Sequence, residues 1–140
     1  MQLTIEEFLQ QYQDTLIELR ECEGRLLELE YPQRGNRILK GEHAGISNQP
    51  EEYAIIKDKL ERKIAILKAK LPRQKKQIER LLDRLNPRKA KILHRKYIEG
   101  LNTLELAAWM HVQPKSAIAA LKFAIEHART EYETSRNPGD

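Results

Sequence analysis

Between Leu85 and Arg129 the chain carries a run of caps, turns and apolar positions that leaves few folds open: LNPRKAKILHRKYIEGLNTLELAAWMHVQPKSAIAALKFAIEHAR. Asn86 offers a side-chain cap, and Pro87 follows at the first helical position, where its missing N–H costs nothing. The helix they open places Ile92, Leu93 and Tyr97 near one face and ends around Gly100, the residue best suited to a left-handed C-terminal turn. Asn102, with Glu105 three residues on, makes a capping box for a second helix contributing Leu106, Ala107 and Met110 to a small core. His111-Val112-Gln113 forms a sharp turn. Pro114 then starts a third helix whose Ala117, Leu121, Ala124 and Ala128 recur at helical spacing. The stretch reads as a helix-turn-helix unit preceded by a supporting helix.

These residues resemble region 4 of bacterial sigma factors and the regulators built on the same unit. The resemblance runs through Pro87-Arg88, Ile92-Leu93, Tyr97, Glu99-Gly100-Leu101, Leu106-Ala107, Met110, Val112, Leu121 and Ala124, about a third of the chain. It implies a DNA-binding helix-turn-helix whose recognition helix begins at Pro114. His111 stands where that family usually has Gly, and Gln113 where it usually has a capping Ser or Thr.

The rest of the chain is organised by heptads. Residues 4 to about 30 open on a second capping box, Thr4 with Glu7. Phe8, Tyr12, Thr15, Leu19, Cys22, Leu26 and Leu29 then alternate in steps of four and three. Leu9, Leu16 and Leu27 widen that stripe. Residues 31–50 hold two prolines and three glycines and read as a long flexible loop, with Arg34, Arg37 and Lys40 spaced to touch phosphate. From residue 51 to 85 the heptad phase returns with Ile56, Leu60, Ile64, Leu67, Leu71, Gln74, Ile78, Leu81 and Leu85. It survives Pro72, as in one kinked helix.

Charge argues for pairing the two heptad runs. Residues 1–50 sum to −4, residues 51–85 to +5 and residues 86–140 to +3. Folded back on the first, the second helix makes an antiparallel hairpin of roughly 40 Å. Lys57, Lys59, Arg62, Lys63, Lys68 and Lys70 then flank Glu18, Glu21, Glu23, Glu28 and Glu30. The expected fold is therefore all-α: a coiled-coil-like stem (1–85), a sigma-region-4-like head (86–129) and a flexible tail (130–140).

This layout of long helix, Gly/Arg loop, long helix and sigma-like head resembles small phage-encoded transcriptional regulators of the ArpU and RinA kind. That resemblance implies a role in phage or prophage gene expression, typically activation of late genes.

Catalysis finds no foothold. His43, His94, His111 and His127 lack metal-ligand spacing with one another or with Cys22, and no phosphate-cradling glycine loop or nucleophile elbow is present. Neither an enzyme nor a cofactor is expected. No apolar run reaches the roughly 18 residues that span a bilayer, and a single cysteine suits a reducing cytoplasm.

The candidate site is a nucleic-acid interface. With Ala117 and Leu121 turned inward, the third helix presents Gln113, Lys115, Ser116, Ile118, Ala119 and Lys122 to a major groove. Gln113 suits adenine, Lys115 guanine or phosphate, and Ile118 or Ala119 a thymine methyl. Arg88, Lys96 and Asn102 would hold the DNA backbone. Double-stranded DNA is the expected partner, with a homodimer formed through the stem and RNA polymerase as a further contact. The alternative is an interaction module whose Ala/Ile-rich third helix docks on RNA polymerase, a sigma factor or a host regulator without reading DNA.

Overall fold

The computed structural model describes residues 3–30 and 50–136, and every regular element among them is helical. We label these α1 (Ile5–Glu30), α2 (Pro50–Leu82), α3 (Pro87–Leu93), α4 (Thr103–Met110) and α5 (Pro114–Arg136), with a π-helical turn (His94–Ile98) continuing α3. The loop expected over 31–50, with Arg34, Arg37 and Lys40, lies outside the described residues except for Pro50, which opens α2.

Local chemistry sets the helix ends. At α1, the Thr4 hydroxyl accepts from the Glu7 N–H (3.2 Å) and the Thr4 N–H donates to the Glu7 carboxylate (2.9 Å). Helix α2 runs unbroken through Pro72 but stops at Leu82, three residues short of expectation. There the N–H groups of Arg84 and Leu85 turn back to the carbonyls of Leu81 and Leu82. Asn86, held extended by the proline after it, caps α3 by accepting from the Lys89 N–H at 2.9 Å.

Within the next helix the sequence reading missed a change of pitch. The Glu99 N–H bonds the His94 carbonyl, five residues back, so α3 widens into a π turn. Ile92 and Tyr97, and likewise Leu93 and Ile98, are five apart and all buried. An i→i+5 turn brings such pairs onto one face, which a regular α-helix does not. Gly100, at φ +77°, ends the turn. There the Gln13 side-chain amide donates to the carbonyls of Tyr97 (3.1 Å) and Ile98 (2.9 Å).

Two compact units emerge. In Thr15–Leu71, α1 supplies Leu19 and Cys22 and α2 supplies Ile64 and Leu67 to one buried cluster, with Leu26, Leu60 and Leu71 packed against it. Lys57–Glu30, Lys63–Glu18 and Lys68–Glu23 pair at 3.3, 3.0 and 3.8 Å. Ile56, expected in the seam, is 45% exposed: the seam's buried cluster stops short of the first turns of α2.

The other unit joins the described residues before Thr15 and after Leu71. Its core gathers Ile5 and Leu9 of α1, Ile78, Leu81 and Leu82 of α2, and Ile92, Leu93, Tyr97, Leu106, Ala124 and Ala128. Leu9, read from the sequence as widening the stem's apolar stripe, is wholly buried in this core. The flexible tail also needs correction over residues 130–136, which continue α5. Tyr132 explains this, its ring lying 4.9 Å from that of Phe8 and its hydroxyl donating to the Leu3 carbonyl at 2.9 Å.

Candidate nucleic-acid interface

Small side chains set the position of α5. Ala117, Ala124 and Ala128 are fully buried, so this face of the helix packs closely on its neighbours, with Leu121 half-buried beside them. Helix α4 is held at its start by a complete capping box: the Asn102 amide oxygen accepts from the Glu105 N–H (2.8 Å), and the Asn102 N–H donates to the Glu105 carboxylate (2.9 Å). It ends at His111 in the left-handed conformation, φ 59° and ψ 43°. The Val112 N–H closes back to the Ala107 carbonyl, and the Gln113 carbonyl receives the first N–H of α5, from Ala117. His111 therefore adopts a backbone conformation that glycine enters most freely.

The opposite face of α5 is open. Gln113, Lys115, Ser116, Ala119 and Lys122 are exposed, and Ile118 is 43% exposed. Arg88 is exposed near the start of α3 and Lys96 is half-buried in the π turn. Among the described residues no ion pair engages Arg88, Lys91, Lys96, Lys115 or Lys122. Asn102 is exposed too, but its amide oxygen is engaged in the cap, so the NH2 group is the freer one for a further contact.

Arg95 is already engaged. Its guanidinium donates to Glu99 at 2.7 Å and lies 5.0 Å from the centroid of the Trp109 ring, a cation–π distance. Trp109 thereby packs at the edge of the core. His94 sits between two carboxylates, with Nδ1 3.1 Å from Glu99 and Nε2 3.3 Å from Glu79. Partial desolvation alone would raise the Glu99 carboxyl, but the hydrogen bonds from His94 and Arg95 outweigh it and hold the pKa below the usual carboxylate range. Burial pushes the Tyr97 phenol up, leaving it a neutral core group.

Two exposed apolar side chains were missed by sequence reasoning: Phe123, 70% exposed on α5, and Leu104, 68% exposed on α4. The signal for Phe123 was present, since with Ala117, Leu121, Ala124 and Ala128 inward its wheel position points out beside Lys122. Phe123 and Ala120 form one wall of an open groove of about 600 Å³. Pro87, Arg88 and Lys89 form the other, and Ile92 also lines it. Chemically the surface offers point-charge donors for phosphate, an amide at the helix start and a bare apolar strip. No helix among the described residues is long and apolar enough to cross a membrane.

No protein-family model, curated protein or solved structure matches this chain.

Proposed function

We propose that the protein is a DNA-binding transcriptional regulator in which α4, the His111–Gln113 turn and α5 act as a helix-turn-helix. Helix α5 lies in the major groove, and α1 and α2 form an antiparallel hairpin stem. The observation carrying this reading is the set of exposed cations free of ion pairs, Arg88, Lys91, Lys115 and Lys122, on the outward face of α5 and along α3. Such a set neutralises phosphates and releases counterions. The first-turn N–H groups of α5 have no intrahelical acceptor and add to the attraction there. The sigma-like and ArpU/RinA-like patterns give the role its setting, the control of phage or prophage genes, with RNA polymerase as a further partner. Two heads joined through their stems would gain affinity for sites one DNA turn apart, about 34 Å.

The test is duplex binding across a salt series. Arg88→Ala weakens all sequences alike and lowers the log–log salt slope by about one, as expected for one lost phosphate contact. Lys115→Ala, if it reads a base, costs about 1–3 kcal/mol on a preferred site. A second reading, a head that docks on another protein, is favoured by exposed Ile118, Phe123 and Leu104. Absence of any salt-dependent duplex binding would leave that reading standing and end the first.

A further inference from the structure

Resting on the DNA-binding reading, we infer that α5, beyond its first turn, selects its site through thymine methyl groups, not through the amino groups of adenine or cytosine. The outward face separates its polar and apolar groups. Gln113, Lys115 and Ser116 stand at the helix start; beyond them the exposed side chains near the face are Ile118, Ala119, Lys122 and Phe123. Residues 115, 119 and 123 follow one another at spacing four and so form one line along the helix. Ala119, Lys122 and Phe123 line a common depression. Glu6 and Glu126 line it too, and Arg129 pairs with both carboxylates, so neither faces a ligand bare.

Ile118, Ala119 and Phe123 neither donate nor accept hydrogen bonds, and a lysine ammonium offers donors only. Past the first turn, then, the acceptors at hand for the amino groups of adenine or cytosine are the Glu6 and Glu126 carboxylates, which Arg129 already engages and whose charge phosphate repels. The apolar feature that base pairs present in the major groove is the C5 methyl of thymine, which alanine and phenylalanine side chains can cover. A largely solvent-exposed phenylalanine flanked by Lys122 and by Arg88 across the groove gains from such burial, with phosphate on either side for the cations.

The test selects a site from random duplexes with the full-length protein. That duplex is then made with deoxyuridine in place of thymidine, which removes the methyl and leaves charge and pairing edges unchanged. Burial of one methyl corresponds to about a fourfold change in affinity. A site read through two or three methyls therefore falls roughly 15- to 60-fold, with its salt slope unaltered. Phe123→Ala lowers affinity for the thymidine duplex and shrinks the further loss on uridine substitution, because both changes delete the same contact. A selected site bound equally well with uridine, or equal binding to all duplexes, overturns the inference and leaves DNA binding intact. Failure to bind any duplex at low salt overturns the DNA-binding reading and this inference with it.

Discussion

His111 occupies the left-handed region that glycine enters freely and other residues enter at roughly 1–2 kcal/mol. His111→Gly should therefore raise stability by up to about 1 kcal/mol in urea titration, since glycine's own entropy offsets part of the relief; a loss would show that the imidazole makes a stabilising contact. Glu99 carries the pH-dependent counterpart. Its folded pKa is depressed, so its contribution is present above the ordinary glutamate value of about 4.3 and is lost as pH falls through the depressed value. Wild type should be more stable than Glu99→Gln near pH 6 and converge with it in acid. A gap that does not narrow as the pH falls through the acid range contradicts this assignment. The caps at Thr4, Asn86 and Asn102 were legible in the sequence because both partners lie within three residues. The His94 bridge was not, because Glu79 sits on another helix and nothing in the spacing links them.

Among the elements, α1 and α2 were readable from apolar period and charge, which predict a shared seam before any geometry is known. Leu19→Asp tests that seam: an unpaired carboxylate beside Cys22, Ile64 and Leu67 costs several kcal/mol, and an unchanged thermal midpoint would mean the cluster contributes little. The π turn escaped notice because pairs five apart fit neither the helical nor the strand template, although Ile92–Tyr97 and Leu93–Ile98 spell it out once it is sought. The continuation of α5 past Arg129 was hidden for another reason. Thr130 to Arg136 is polar apart from Tyr132, and the ring that holds it, Phe8, is over a hundred residues away.

At the scale of the molecule, the sequence could not reveal that the first turns of α1 belong to the head, since its heptad phase runs evenly from Phe8 to Leu29. The candidate face on α5, Phe123 included, was legible from the inward alanines, whereas the groove that Phe123 walls depends on how α3 and α5 meet. The proposed pairing of stems must use what remains outside: Leu9 is unavailable, but Ile17, Leu27, Ile55 and Ile66 are exposed. Sedimentation at micromolar protein should give twice the 16.4 kDa chain mass; the monomer mass refutes dimerisation.

The gathering of Ile5 and Leu9 with Ala124 and Ala128 into one core also has a temporal side. At about 5–20 residues per second, a ribosome takes roughly 6–24 s to pass from the first of these to the last. Through that interval Ile5 and Leu9 have no finished core to enter, and the nascent chain offers them to chaperones or to its neighbours. A fragment beginning at residue 86 lacks those side chains and bares the face they cover, Leu93, Ala124 and Ala128 included, so a head excised for binding assays should aggregate where the intact chain does not.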